Sequence, residues 1–408
     1  MRPDDSTTVR DRPMLLRRSE LSASAIVAGV IAIVIGYAGP AVVIFQAADA
    51  GGLSAAQTTS WIFAASITCG VIGIALTLWT RTPIVVAWST PGAAVLVSAI
   101  GDYAYSDVIG AYLVAAVAMT ALAASGTFDA LMRRLPAPIV SAMLAGILLH
   151  FVADAFGALA ASPAIAGSVV FAFLLVRRWS ARWAVPAALL AGVGVSWMLG
   201  ELAFDGVRLQ LAAPVFTAPS FDLGAVVGIA LPLFVVTLTA QNAAGLGVLR
   251  SLGYAADARR LVTATGLGSI IGAFFGSHAI NLAAITAALC AGPGAHPDPR
   301  RRWPAGVAAG VAYLVVGAFG GTLIAVFALL PGALVAALAG VALVAAFAGA
   351  VSGAVAEPGT REAAVICFAA TASGLTVAGI GAPFWGLVLG VVTQALVSWR
   401  RPVRRSTP

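Results

Sequence analysis

Several hydrogen-bonding side chains stand inside otherwise apolar stretches of this chain. The stretch "GSHAINLAAITAALCAG" begins with Ser277, His278 and Asn281, and "TLTAQNAAGLG" places Gln241 beside Asn242. Such groups cost free energy in apolar surroundings unless they are paired or face a polar cavity. Uncharged groups of this kind can bind an anion. Two interpretations stand: a binding site, or hydrogen-bond clamps between helices.

A second stretch, "AWSTPGAAVL", carries the signals of a helix start. Ser89 and Thr90 suit an N-cap, and Pro91 suits the first helical position, with Gly92 after it. If this helix begins at mid-membrane depth, its first N–H groups have no partner in lipid and favour a small anion. A kink is the plainer alternative.

The stretch around Asn281 has the same design, because an extended lead-in over 278–282 precedes a helix expected to begin near Ala283. The two helix starts together predict one central site. The predicted substrate-binding residues are Gln46, Ser89, Thr90, Pro91, Gly92, Gln241, Asn242, Asn281, Leu282 and Ala283.

Proton carriers are scarce in the apolar segments. All 16 acidic residues lie in loops or near segment ends. His278 is the only histidine near the predicted site and is our candidate for proton coupling, with a hydrogen-bonded structural histidine as the alternative. His150 is predicted to be a satisfied core residue, and His296 to lie in a loop.

The residue patterns favour binding over catalysis. Ser277 and His278 are adjacent, so on a strand they point to opposite faces and make a poor dyad. The sequence contains no HExxH motif and no nucleotide-binding loop. Three widely spaced cysteines, Cys69, Cys290 and Cys367, are predicted core residues. We therefore expect no catalytic residue, no metal site and no cofactor.

The elements that must position these residues are membrane-spanning helices. The chain has 408 residues, of which 61% are hydrophobic and 10% charged, whereas soluble domains carry about 25% charged residues. Continuous apolar runs predict an all-α polytopic membrane protein with fourteen spans. The predicted spans are 24–46, 57–79, 83–99, 107–125, 137–156, 163–176, 183–200, 224–247, 260–275, 278–291, 304–328, 331–350, 362–379 and 383–399.

The placement of charge supports this count. All 23 basic residues are arginines, and 22 of them fall on one side of the fourteen-span arrangement, with Arg208 the exception. The positive-inside rule then places both termini in the cytoplasm. The arginines predict a lipid bilayer rather than nucleic acid as the partner of this basic chain.

Fourteen spans divide into two sets of seven, and an odd-numbered repeat inverts its topology on duplication. Gln46 precedes Ser89 by 43 residues, and Gln241 precedes Asn281 by 40. The predicted organisation is a cytoplasmic tail over 1–20, a first repeat over 21–200, an extracellular connection over 201–222, a second, inverted repeat over 223–400 and a cytoplasmic tail over 401–408.

Three stretches, "AWSTPGAAVL", "TAQNAAGLGVLRSLGY" and "GSHAINLAAITAALCAGPGAHPDPRRRW", resemble the BenE family of benzoate/proton symporters. The resemblance extends from about residue 20 to residue 400. That family is similar in architecture to uracil/purine permeases and to sulfate and bicarbonate transporters. The resemblance implies a core domain from spans 1–4 and 8–11 and a gate domain from spans 5–7 and 12–14. Spans 3 and 10 would each contain a short strand and a half-helix that meet at the substrate site.

The resemblance further implies uptake of benzoate or a similar aromatic carboxylate, driven by protons, across a bacterial cytoplasmic (inner) membrane. Uracil permeases place a glutamate in span 8, where this chain has Gln241, so their carboxylate-based coupling cannot be transferred. Trp88, Phe234 and Phe275 are candidate neighbours of the substrate ring. The alternatives are a transporter of another small anion or a nucleobase, an anion channel, and a membrane-embedded enzyme. The oligomeric state is open, with a homodimer as one candidate.

Overall fold

The computed structural model describes residues 22–38, 40–132, 136–181, 183–202, 208–377 and 380–399. The predicted tails over 1–20 and 401–408 lie outside the described residues. The first half contains α1 (Ala23–Ala38), α2 (Pro40–Ala50), α3 (Ala55–Thr80), β1 (Val86–Trp88), α4 (Thr90–Val97), α5 (Tyr105–Ala124), α6 (Phe128–Met132), α7 (Ala137–Ala161), α8 (Pro163–Arg177) and α9 (Ala184–Met198).

The second half contains α10 (Leu223–Ala225), α11 (Leu231–Val236), α12 (Ala244–Ser251), α13 (Ala258–Ala273), β2 (Ile280–Leu282), α14 (Ile285–Ala291), α15 (Trp303–Ala318), α16 (Gly320–Ala328), α17 (Gly332–Ala354), α18 (Arg361–Ala372) and α19 (Ala382–Trp399). The α10–α12 run includes two π-helical segments, Val226–Ala230 and Thr237–Ala243.

Within the described ranges, six helical runs are long and apolar enough to cross a membrane, and a seventh is added if the bent pair α15–α16, which meets at 66°, forms one span. The helices α8, α9 and α19 are apolar but shorter. The structure is therefore a mostly helical membrane fold, as predicted, while the count of fourteen spans stays a prediction. The six runs are Ala23–Ala50, Ala55–Thr80, Tyr105–Ala124, Ala137–Ala161, Leu223–Ser251 and Gly332–Ala354.

The ends of the long helices follow from local sequence. At the start of α3, the Ser54 hydroxyl accepts a hydrogen bond from the Gln57 N–H at 3.3 Å, and the Gln57 side chain accepts one from the Ser54 N–H at 2.9 Å. This reciprocal capping box satisfies two N–H groups that the helix itself leaves unpaired. The helix ends at Arg81, whose φ of 53° lies in the left-handed region.

The helices pack as two groups. The helices α7, α8, α9, α17, α18 and α19 pack mainly on one another, and we call them the second packing group. The remaining elements form the first packing group, in which α3 packs on α15, α5 on α13 and α1 on α15. The two groups touch at several places, among them where α4 and α11 meet α7, where α2 meets α17 and where α1 meets α9.

Glycines allow α3 and α15 to approach closely. A Cβ atom on Gly70 would lie 2.7 Å from the carbonyl oxygen of Gly310, and one on Gly306 would lie 2.6 Å from the Thr77 hydroxyl. Small residues at such contacts are the usual means of packing helices in a membrane, where burial of apolar surface supplies no driving force. This contact holds α15 against α3, which itself packs on β1.

The strands form a buried antiparallel pair with Val86 opposite Leu282, Ala87 opposite Asn281 and Trp88 opposite Ile280. Further backbone bonds extend the ladder, from the Ser89 N–H to the Ala279 carbonyl at 3.1 Å and from the Ala283 N–H to the Val85 carbonyl at 3.0 Å. The pair stands among helices of the first packing group, with α3 against β1 and α13 against β2.

Each strand is followed by a short helix, as predicted for spans 3 and 10. The helix α4 begins at Thr90 with Ser89 as its N-cap. The helix α14 begins at Ile285, two residues after the predicted start at Ala283. The physical reason is the ladder, which takes up the Ala283 N–H and keeps that residue extended.

The two ends of the bundle differ in charge. The turns that carry Asp49 and Asp102 touch, since a Cβ atom on Gly101 would lie 2.7 Å from the Ala50 carbonyl oxygen; we call this the acidic end. At the opposite end, Arg250 lies 3.7 Å from Asp129. We call that the arginine end.

At the arginine end, the buried Arg302 closes the loop after α14. Its guanidinium donates to the carbonyl oxygens of Ala291 at 2.8 Å, His296 at 2.6 Å and Pro297 at 2.9 Å. Cations are favourable at a helix C-terminus because the last carbonyl groups lack partners within the helix. Arg302 therefore fixes the far end of the short helix α14.

Candidate functional site

Asn281 is the centre of a polar network between the two strands. Its side chain is fully buried. With the amide oriented so that its oxygen faces a donor and its nitrogen faces acceptors, the oxygen accepts a hydrogen bond from the Ser89 N–H at 3.0 Å, and the NH₂ group donates to Gln241 Oε1 at 3.2 Å and to the Leu282 carbonyl at 3.1 Å. The structure therefore brings together Ser89, Gln241 and Asn281, which come from three separate stretches of the sequence.

The neighbouring Asn242 supports β2. Its Oδ1 accepts a hydrogen bond from the Leu282 N–H at 3.1 Å, while its Nδ2 is buried and has no partner among the described residues. Gln241 and Asn242 are consecutive and both reach β2, and both belong to the π-helical segment Thr237–Ala243. Such π-helical turns occur often at functional sites.

Ser89 caps the start of α4. Its hydroxyl accepts hydrogen bonds from the Gly92 N–H at 3.0 Å and from the Thr237 hydroxyl at 3.2 Å. Pro91 occupies the second helical position, one place later than predicted. The first three positions of α4 are Thr90, Pro91 and Gly92. The Gly92 N–H is capped by Ser89 and Pro91 has no N–H, so the Thr90 N–H alone among these three lacks a partner in the described residues.

Several predicted backbone donors are therefore already in use. The Gly92 N–H is bonded to Ser89, the Leu282 N–H to Asn242 and the Ala283 N–H to the Val85 carbonyl. This corrects the expectation that these groups are free to bind an anion directly. They shape the site, and Thr90 and Gln241, both half-buried, are its more accessible polar members.

His278 is held on both sides of its ring. The Trp61 indole N–H donates to Nδ1 at 3.0 Å, and Nε2 lies 2.8 Å from the Ser89 carbonyl oxygen. An indole nitrogen can only donate, so Nδ1 is the acceptor and Nε2 carries the proton. A second proton on Nδ1 would face the Trp61 N–H. This geometry favours the structural alternative for His278 and does not support proton coupling there.

The remaining predicted residues lie apart from the network. Gln46 lines a cavity between the two packing groups and has no hydrogen bond to Asn281. Trp88 is buried edge-on against Tyr37, with ring centroids 4.5 Å apart, and against Tyr313 at 5.7 Å. Trp88 therefore packs among aromatic side chains of the core.

Two polar residues of the network have no signal in the sequence. Trp61 fixes the tautomer of His278. Ser269, on α13, accepts a hydrogen bond from the Ile280 N–H at 2.9 Å and donates to the Ile280 carbonyl at 3.1 Å. The partner of Trp61 is 217 residues away, and the partner of Ser269 lies in β2, across the bend that follows α13, so local patterns do not reveal either pairing. Within the described residues, no group of three His, Cys, Asp or Glu side chains is placed to hold a metal ion.

Replacing Ser89 by alanine is expected to destabilise the protein by about 1 kcal/mol, the usual cost of losing an N-cap, and to weaken substrate binding because the start of α4 loosens. Thermal unfolding in detergent and a substrate binding assay measure both effects. Ser125→Ala is the control, since the Ser125 hydroxyl is exposed and bonds only locally. An unchanged melting temperature and affinity in Ser89→Ala would contradict this role.

The fold is that of a membrane transporter. It is similar to the transmembrane domain of a cyanobacterium bicarbonate transporter, BicA, with a TM-score of 0.57 over 92% of this chain and 97% of that chain, at 16% identity. The murine Slc26a9 anion transporter in the inward-facing state gives a TM-score of 0.60 over 94% of this chain and 69% of that chain, at 15% identity.

The chain belongs to the BenE family of benzoate membrane transport proteins, whose model matches residues 19–396. The benzoate membrane transport protein of Acinetobacter baylyi is 38% identical over 380 residues, which cover 93% of this chain and 96% of that protein. The inner membrane protein YdcO of Escherichia coli K12 is 38% identical over 373 residues, covering 91% and 95% of the two chains. The predicted family is confirmed.

Proposed function

We propose that this protein imports benzoate or a related aromatic carboxylate together with protons, as a secondary transporter. The observation that carries the proposal is the family match over residues 19–396, whose description names benzoate. The fold supports a transporter, because its structural neighbours are a bicarbonate transporter and an anion transporter. We place the protein in the cytoplasmic membrane with the arginine end and both termini in the cytoplasm.

For the architecture, we propose fourteen spans in a seven-plus-seven inverted repeat. The antiparallel strand pair supports it, because the register is symmetric about the Ala87–Asn281 pair. The helix packing supports it as well, if α1, α3, α4 and α5 of the first repeat correspond to α11, α13, α14 and α15 of the second. The contact of α3 with α15 then matches that of α13 with α5, and the contact of α1 with α14 matches that of α11 with α4. In the proposed repeat, a two-fold axis through the strand pair would exchange the members of each set.

The proposed substrate site lies on the first packing group, between the starts of α4 and α14. The strand pair lies between these two helix starts, and Asn281 ties the strands to Gln241. We propose that the first packing group is the core domain and the second is the gate domain. Movement of one against the other would expose the site to each side in turn.

A second candidate function is transport of another small anion, which the likeness to bicarbonate and Slc26a9 transporters favours. An anion channel is a further alternative. Competition by unlabelled bicarbonate, sulfate or a nucleobase against labelled benzoate shows which of these compounds the protein binds in place of benzoate. A channel would give a flux that neither saturates nor accumulates the anion.

The test is uptake of labelled benzoate into proteoliposomes with and without an inward proton gradient. We expect saturable, gradient-stimulated accumulation that a protonophore abolishes. Protein-free liposomes under the same gradient are an essential control, because the neutral acid form of benzoate crosses lipid unaided. Accumulation no greater than in protein-free liposomes would overturn the proposal.

A further inference from the structure

A cavity of about 390 Å³ lies between the two packing groups. Residues of α2 and α4 form one wall, and residues of α7, α18 and α19 form the other. The volume falls within the range of roughly 300–1,000 Å³ typical of small-molecule pockets. The lining combines apolar side chains, among them Ile147 and Phe151, with the polar Gln46, His150 and Asp154. This mixture suits a ligand with an apolar ring and one charged group.

His150 differs from His278 in its exposure and in its hydrogen bonds, the two properties that a proton carrier depends on. His278 is 1% exposed and both of its ring nitrogens are paired. His150 is exposed and lines the cavity. Within the part of the chain that the structure describes, no hydrogen bond or ion pair engages its imidazole. The prediction that His150 is a satisfied core residue was therefore wrong, because its side chain faces the cavity.

Asp154 lies one helical turn beyond His150 on α7, on the same face. Both side chains line the cavity. The helix runs from the arginine end, where α6 carries Asp129 against Arg250, toward the acidic end. Asp154 is therefore about 6 Å closer to the acidic end, at ~1.5 Å per residue.

Other charged groups on neighbouring helices are remote from this pair. The titratable side chains on the helices packed against α7 are Arg177, Arg361, Glu362 and Cys367. Arg361 and Glu362 begin α18, about 15 Å along its axis from the cavity-lining Thr371. Arg177 ends α8, at the far end from its junction with α7. Cys367 donates to the Ile139 carbonyl at 3.3 Å.

Gln46 supplies the third polar group. Its Oε1 is buried and has no hydrogen-bond partner among the described residues. A side-chain amide offers one acceptor and two donors, and it can turn to present either to a ligand. Gln46 comes from the first packing group and His150 from the second, so a ligand that contacts both bridges the two groups.

We propose that this cavity is a second binding site for the aromatic carboxylate, with protonated His150 as its counter-charge. While His150 is neutral, Asp154 is the only charge on the lining and repels an anion. Protonation of His150 from the acidic end balances Asp154 and gives the imidazole a second N–H donor for the carboxylate, with Gln46 as a further donor. One proton and one carboxylate then enter together, and loss of the proton releases the anion. This inference rests on the proposed transport function.

The test uses binding of labelled benzoate to the full-length protein in detergent from about pH 5.5 to pH 8, the range in which histidine changes charge, beside proteoliposome uptake. Wild-type protein should bind more tightly at the acidic end of this range. His150→Gln should bind at least about tenfold more weakly at low pH, consistent with the cost of removing one partner of a charge pair, and should lose the pH dependence. His296→Gln, in a loop at the arginine end, is the matched control and should behave as wild type.

Two further variants keep the test decisive if His150→Gln folds poorly. His150→Arg carries a permanent charge, so binding should persist without pH dependence while uptake loses its stimulation by the proton gradient. Asp154→Asn removes the repulsion and should strengthen binding at alkaline pH, an effect that a merely structural residue would not produce.

Wild-type pH profiles in both His150 variants would overturn the inference even if wild-type uptake is proton-coupled. If the wild type shows no proton-stimulated uptake, the proposed function fails instead. In that case the pH dependence of benzoate binding in the His150 variants still shows whether the cavity binds the carboxylate.

Discussion

Replacing Asn281 by leucine is expected to abolish benzoate uptake and to produce a strongly destabilised protein. The Asn281 side chain makes three hydrogen bonds, to the Ser89 N–H, Gln241 Oε1 and the Leu282 carbonyl. Leucine has a similar size but no polar atoms, so it leaves buried polar groups with fewer partners. A buried group left unsatisfied costs about 1–3 kcal/mol. The loss should therefore exceed that of an ordinary single substitution.

Uptake should suffer more than stability alone explains, because Asn281 sets the position of Gln241 relative to the start of α4. The measurements are initial uptake rate, benzoate affinity and thermal unfolding in detergent. Thr239→Val is the matched control: its hydroxyl bonds only to the Val235 carbonyl one turn earlier, at 2.7 Å. A variant that keeps wild-type affinity for benzoate would show that the site lies elsewhere.

The second large effect is expected at Gly245, on α12. A Cβ atom there would lie 2.7 Å from Leu282 Cβ and 2.9 Å from the carbonyl oxygens of Leu282 and Ala283. Gly245→Ala must therefore push α12 away from β2 and displace the adjoining segment that carries Gln241 and Asn242. Overpacking of this kind typically costs about 1–3 kcal/mol. We expect a lower unfolding temperature and a reduced uptake rate.

Gly247→Ala supplies a closely matched control. Gly247 lies two residues further along the same helix, and a Cβ atom there meets nothing within 4 Å. Alanine is favoured over glycine in a helix by up to about 1 kcal/mol, so this variant should match or exceed the wild type in stability. Equal behaviour of the two variants would refute the close contact between α12 and β2.

Residues adjacent in the sequence were enough to predict the secondary structure that carries the site. The Ser89–Gly92 stretch carries capping residues, and Ser89 indeed caps α4. The composition alone indicated a membrane fold, and the stretch around Asn281 indicated a strand followed by a helix, both of which the structure contains. These features depend on neighbouring residues, which a sequence displays directly.

Long-range pairing was beyond the reach of the sequence. Trp61 and His278 are 217 residues apart, and nothing local to either indicates that they meet. The same holds for the Ala283 N–H, whose bond to the Val85 carbonyl delays the start of α14. Gln46 was a predicted substrate-binding residue beside Asn281, yet it lines the cavity with His150, because the packing of α2 on α4 and α17 places it and the sequence does not display that packing.

The strand pair also has a consequence for the synthesis of the protein. Val86 pairs with Leu282, so 196 residues separate the two halves of the ladder. At about 5–20 residues per second, the ribosome needs roughly 10–40 s to produce the partner of β1 after β1 itself. During this time the backbone groups of β1 lack their ladder partners, and lipid cannot supply replacements. The first half of the chain must therefore keep β1 away from lipid, behind its own helices or within the insertion machinery, until residues 280–283 arrive.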